Sequence, residues 1–165
     1  MRTTTIALTF LLMAAPACRA QDPPPRQDSG APIVFVCEHG SVKSLIAASL
    51  FDRTAAQRGL PFRAVSRGVN PEQQVPPWIA AALREDGFEV EGFRPQGLAS
   101  EDVLHARQVI AIGVDLATHA TEARAPIQSW DDVPAASVDY AATRAALQHH
   151  IDALLDELQE AEKAP

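Results

Sequence analysis

Cysteine is nearly absent from this chain. Of 165 residues only two are Cys, Cys18 and Cys37, and Cys18 falls in an N-terminal segment with the features of a leader. A mature domain with Cys37 alone closes no internal disulfide, so its stability must come from a packed core. Its lone thiol is then either a buried bystander or a reactive group. Positive charge is also scarce. Fourteen Lys and Arg face 21 Asp and Glu, for a formal net charge of −7. A protein this acidic gains nothing from the counterion release that drives nucleic-acid binding, which argues against DNA or RNA as a partner. No apolar run approaches the ~20 residues a bilayer span requires. Aromatic residues make up only 5% of the chain, but hydrophobic residues make up 47%. That is enough for one ordinary globular domain at this length.

The N-terminus reads as an export signal over residues 1–20. Arg2 supplies the positive start, Ile6 to Ala17 the apolar stretch, and Ala15, Ala17 and Ala20 the small residues near a cleavage point. The alternative is a buried N-terminal strand or helix. Cleavage after Ala17 would leave Cys18 at the new terminus and raise a lipid anchor there as an option, although Ala15 stands where lipoprotein sites usually carry Leu. Either outcome places the protein in the periplasm or outside the cell. Residues 21–32 are rich in Pro, Asp, Gly and Ser and read as a flexible linker. The folded domain is then expected over residues 33–160.

Within that domain, Ile33-Val34-Phe35-Val36 is a continuous apolar run of strand formers, as a central parallel strand requires. It stops at Cys37. A glycine-containing loop follows, and a helical pattern runs from Val42 to about Arg58, with Leu45, Ile46, Ser49, Leu50 and Ala56 at helical spacing. Phe62 to Val69 alternates as a second strand. Trp78 to Asp86 reads as a helix after Pro76-Pro77. Ser100, as N-cap, opens a short helix, and Gln108 to Val114 is a third strand. Asp115 and Thr118 begin a loop that continues to Pro134. A long helix then runs from Val138 to about Glu160, with Tyr140, Ala145, Leu147, Ile151, Leu154, Leu155 and Leu158 as its apolar stripe. Strands alternating with helices imply an α/β fold, expected as a three-layer sandwich with a central four-stranded parallel sheet and helices on both faces.

Such sheets bind ligands at the carboxyl ends of their strands, and Cys37 lies at such an end. The segment Cys37-Glu38-His39-Gly40-Ser41-Val42-Lys43-Ser44 is a strand end, a tight loop and a helix start. Backbone amides and the helix dipole there favour an anion, and the same field stabilises a thiolate. Ser44 can donate a hydrogen bond to that thiolate. The arrangement suits nucleophilic attack on a bound oxyanion ester.

The motif resembles that of the low-molecular-weight protein-tyrosine phosphatases: a strand ending in Cys, five residues, Arg, then Ser or Thr. The likeness extends through the second strand with Ser66-Arg67-Gly68, the Val75-Pro76 helix, the Arg94-Pro95 loop, the third strand ending before Asp115, and the Trp130-to-Leu147 run. The last of these is similar to the aspartate loop and final helix of the arsenate reductases built on the same fold. The resemblance implies that Cys37 is the nucleophile and Ser44 its assistant. The amides of Glu38, His39, Gly40, Ser41, Val42 and Lys43 would hold the phosphoryl oxygens. A late-loop Asp would serve as acid and then base. The family places that Asp directly before Pro; here Val133 intervenes before Pro134, and Asp132 is preferred to Asp131, the alternative being that both merely cap the loop or face solvent.

Two departures stand out. The signature Arg is Lys43, a point charge in place of a two-pronged fork, and His39-Gly40 stands where the family usually has Gly-Asn. Arg67 is a candidate replacement guanidinium, with Arg94 behind it; the plainer reading is a surface arginine. His39 beside Cys37 is too little for a metal site, and it reads better as a loop-shaping residue or as one paired with the thiolate. His149 and His150 are expected on the surface. No metal or other cofactor is expected.

Three functions follow. The first is an exported phosphatase acting on phosphotyrosine-like or aryl phosphate esters through a phosphocysteine. The second is a weak or inactive oxyanion-binding or interaction module. The third is arsenate reduction, disfavoured by the missing second thiol.

Overall fold

The computed structural model describes residues 30–117 and 123–163. The leader, Cys18, most of the linker and Thr118 lie outside the described residues. Among those described, the chain order is β1 (Ile33–Cys37), α1 (Lys43–Gln57), β2 (Ala64–Gly68), α2 (Pro77–Glu85), α3 (Ser100–His105), β3 (Gln108–Ala111), β4 (Ile127–Ser129) and α4 (Tyr140–Lys163).

The four strands form one parallel sheet in the order β2-β1-β3-β4. Every residue of β1 is buried, as its unbroken apolar sequence requires of a central strand. Its alternate side chains feed two cores. Ile33, Phe35 and Cys37 point into the larger one with α1, α2 and α4. Val34 and Val36 point into a smaller one with Val103 of α3. Helices therefore cover both faces. Phe35 anchors the larger core, with Phe51 at 5.7 Å and Trp130 at 5.6 Å between ring centroids.

The differences from the sequence reading have local causes. The stretch after Val114 holds β4, hidden from pattern analysis because Ile127-Gln128-Ser129 is short, polar and outward-facing on two of three positions. β3 ends at Ala111, and Gly113 turns the chain with φ +62°. Ser100 is the first helical residue of α3 and not its cap. Ala99 holds that place, its amide donating to the Asp102 carboxylate at 3.0 Å. α4 begins two residues later than expected, because Asp139 caps it by accepting from the Ala142 amide at 2.9 Å. Ala145 and Ala56 are exposed, and Thr143 is buried in the stripe instead. Tyr140 donates to Asp86 at 2.7 Å, joining the start of α4 to the end of α2. Burial, and then that hydrogen bond, push the Tyr140 hydroxyl above the usual phenol range.

Candidate active site

Cys37 ends β1 in register with Gly68 of β2, and the loop after it is fixed by its carbonyls. Cys37 O accepts from the Val69 amide at 3.0 Å, Glu38 O from Asn70 at 2.8 Å and His39 O from Glu72 at 3.1 Å. Gly40 O accepts from the Ser66 hydroxyl at 3.0 Å, and Val42 O from the Ile46 amide at 2.9 Å. With these carbonyls bonded to β2, to the segment after it and into α1, the loop's amides are left to face a ligand. That is the geometry of an anion nest at a helix N-terminus.

Side chains reinforce the staple. The Ser41 hydroxyl, fully buried, donates to Glu72. Asn70 Nδ2 donates to Glu38 at 2.6 Å, and His39 Nδ1 lies 3.3 Å from Asn70 O. Two glycines allow the close approach. Gly40 has φ +68°, and a Cβ on it would fall 2.8 Å from the Gly68 nitrogen. A Cβ on Gly68 would fall 2.6 Å from the His39 carbonyl carbon. Neither position accepts another residue without moving backbone.

The thiol of Cys37 is 3% exposed, and its Sγ lies 3.0 Å from Ser44 Oγ. Ser66 Oγ is 2.8 Å from Ser44 Oγ. Ser66 has one proton for two acceptors. When Ser44 donates to a thiolate, Ser66 can turn its proton to Ser44. When the sulfur needs no donor, Ser44 can donate to Ser66, whose proton then stays on Gly40 O. The relay lets sulfur gain or lose charge without leaving a buried hydroxyl unpaired.

Above the thiol is a cavity of about 190 Å³ lined by Cys37, Glu38, His39, Val42, Lys43, Trp78, Ala135, Ala136 and Ser137. Trp78 is 44% exposed at its rim. Of the loop residues expected at the site, Cys37, Glu38, His39, Val42 and Lys43 line this cavity, while Gly40, Ser41 and Ser44 lie beneath it in the loop's hydrogen-bonded support. Lys43 begins α1 and lines the cavity. Its Nζ reaches over Gly113, where a Cβ would come within 2.7 Å of it, and it has no ion-pair partner among the described residues.

Two expected residues are elsewhere. Arg67 does not swing toward the loop: its Nε donates to Asp102 at 2.8 Å and its Nη1 to Ser66 O at 2.9 Å. Together with Arg94 it lines a separate cavity of about 580 Å³ between α1, β2 and the 89–96 loop. Alternation along β2 explains this, since Ser66 is the residue that reaches Ser44 and its neighbour is turned away. Asp132 is bound to His150 Nε2 through both oxygens, at 2.8 and 3.0 Å. That hydrogen bond is the main cause holding its carboxyl below the ordinary range. His150 is in turn stacked on Trp130 at 4.7 Å, so it is not the free surface residue expected. Asp131 lines a further cavity with Gly113, Val114, Asp115 and Ser129. The cause is burial on either side: Trp130 and Val133 both enter the core, so the two aspartates between them face outward, and the chain reaches Cys37 only at Ala135.

Sequence reasoning left Trp78, Ala135, Asn70 and Glu72 without roles. Only Gly68, in its Ser-x-Gly context, carried a signal for the loop's support. Among the described residues no cluster of three or more His, Cys, Asp or Glu is placed to hold a metal ion, and no helix is long and apolar enough to cross a membrane.

The family model for low molecular weight phosphotyrosine protein phosphatase matches residues 32–164. The chain belongs to this family. Its fold is that of the family's phosphoric monoester hydrolases, with a cradle that fits an oxyanion. Among solved structures it is similar to YfkJ from Bacillus subtilis, at 19% identity over 80% of this chain and 96% of that one, with a TM-score of 0.67. The low molecular weight phosphotyrosine phosphatase of Vibrio cholerae O395 shares 17% identity over 80% of this chain and 99% of that one, with a TM-score of 0.65. The thioredoxin-dependent arsenate reductase of Corynebacterium glutamicum shares 19% over 82% of this chain and 66% of that one, also at 0.65. At these identities the likeness is one of fold. No curated protein matches the sequence.

Proposed function

We propose that this protein is an exported, cysteine-dependent hydrolase of phosphate monoesters of the aryl, phosphotyrosine-like kind, with Cys37 as nucleophile. The observation that carries the reading is the loop itself, with its carbonyls bonded outward and Cys37 at its start, 3.0 Å from Ser44. A phosphoryl group seated on the inward amides lies in front of the sulfur. In-line attack then gives a phosphocysteine, which water hydrolyses. The apolar wall of Val42, Trp78, Ala135 and Ala136 favours an aryl group on the leaving side. Export rests on Arg2, the apolar stretch Ile6 to Ala17 and the small residues after it; a lipid anchor at Cys18 is a variant of the same proposal.

A second reading is an oxyanion-binding module with little or no turnover. It is favoured by Lys43, which cannot grip two oxygens as a guanidinium does, and by the absence of a late-loop carboxylate from the cavity among the described residues. Arsenate reduction is the least supported, since beyond Cys37 the chain has only Cys18 as a resolving thiol.

Hydrolysis of p-nitrophenyl phosphate separates the readings. A parent rate that falls roughly a thousandfold or more in Cys37→Ser supports the enzyme. In Lys43→Arg the rate is expected to rise by up to about 100-fold, the worth of one oxyanion donor. A parent that binds inorganic phosphate but shows no Cys37-dependent turnover is the binding module.

A further inference from the structure

The cavity over Cys37 receives three residues from the late loop, Ala135, Ala136 and Ser137, and none of them is an acid. The carboxylates that precede them are engaged elsewhere: Asp132 with His150, at 2.8 and 3.0 Å, and Asp131 on the far cavity beside Asp115 and Ser129. On the near side, Glu38 and His39 are both drawn to Asn70, at 2.6 and 3.3 Å. Among the described residues, a leaving oxygen on the cavity's outer side therefore meets Ala135, Ala136, Ser137 and Trp78 and no carboxyl group, and Lys43 Nζ is carried over Gly113.

From this we infer that the site releases its leaving group unprotonated. It therefore narrows the proposed aryl class away from phosphotyrosine itself, to substrates whose leaving oxygen is stable as an anion, namely acyl phosphates and aryl phosphates of acidic phenols. The inference rests on Cys37 being the nucleophile. In the first step the thiolate forms the S–P bond as the bond from phosphorus to the leaving oxygen breaks, and that electron pair departs on a carboxylate or aryloxide. In the second, water attacks phosphorus, the S–P pair returns to sulfur as thiolate, and both protons of the water remain on the released phosphate. No protein group gains or loses a proton in either step. General acid assistance is commonly worth about 10²–10⁴-fold, so its absence weighs most on poor leaving groups.

The test compares acetyl phosphate, p-nitrophenyl phosphate and phenyl phosphate, the last with a leaving group near the tyrosine pKa of about 10. The parent is expected to turn over the first two at least ~100-fold faster than phenyl phosphate in kcat/KM. Ala135→Asp, at an exposed loop position that tolerates the side chain, is expected to raise phenyl phosphate hydrolysis by about tenfold or more and p-nitrophenyl phosphate hydrolysis far less. Its added activity should fade as rising pH ionises the new carboxyl. His39→Gln should move the ratio between the two aryl esters by less than about threefold. A parent that hydrolyses phenyl and p-nitrophenyl phosphate at similar rates, with both rates lost in Cys37→Ser, overturns this inference and leaves the nucleophile standing. A ratio that widens sharply in His39→Gln overturns it too, by identifying the imidazole as the acid. No Cys37-dependent hydrolysis even of acetyl phosphate overturns both.

Discussion

Two loops meet over Cys37, and they are held in opposite ways. The loop from Cys37 to Ser44 is fixed atom by atom, with the carbonyls of Cys37 to Gly40, the side chains of Glu38, His39, Ser41 and Ser44 and both glycine contacts tied to the segment Ser66 to Glu72. The loop from Trp130 to Ser137 is fixed by packing. Trp130 and Val133 are buried, Thr143 donates to Pro134 O at 3.1 Å, and its charged residues face away from the thiol. The first loop concentrates dipoles on one point. The second closes that point with small apolar side chains. In the proposed mechanism, nucleophile and anion binding thus reside on one side of the cavity, and the other side contributes shape.

The sharpest way to break the contrast is Gly68→Ala. The added methyl meets backbone of His39 and Gly40 at 2.6–2.7 Å, so the loop must shift. A displacement near 1 Å costs about 100-fold in rate. Hydrolysis of p-nitrophenyl phosphate should fall by that amount while the domain still melts cooperatively; full activity would mean the staple is dispensable. Ser66→Ala is milder. It removes the donor to Gly40 O and one partner of Ser44, a buried loss of about 1–3 kcal/mol. Roughly tenfold lower kcat is expected, with kcat/KM falling in parallel. Asp132→Asn should have the smallest effect on chemistry, with hydrolysis within about twofold of the parent and a lower melting temperature as its only clear mark. A carboxylate whose pKa is depressed by folding stabilises above its unfolded value and loses that contribution as pH falls through the folded value. The melting deficit should therefore be present at neutral pH and vanish in acid. Strong loss of activity in this variant would restore Asp132 to the chemistry.

The legible and illegible parts of the sequence divide along the same line. The cradle could be read from contiguous residues, because strand, loop and helix start lie within a dozen positions and each leaves a local pattern. The role of Asp132 could not, because the direction of residues 131 and 132 is decided by the burial of Trp130 and Val133 against β1 and its neighbours. Arg67 was ambiguous for a related reason. Its neighbour Ser66 faces the site, and strand alternation alone sends the guanidinium to Asp102. Strand β4 was hidden by its brevity, and the Asn70 and Glu72 staples by their distance in sequence from the loop they hold.

The most direct measurement is acid-quenched mass spectrometry of the protein during turnover of p-nitrophenyl phosphate, mapping any added phosphoryl group. A phosphoryl adduct on the peptide containing Cys37, absent in Cys37→Ser, is the predicted result. Turnover that persists in Cys37→Ser, or a phosphoryl group mapped to any other residue, would contradict the assignment of that sulfur as the nucleophile.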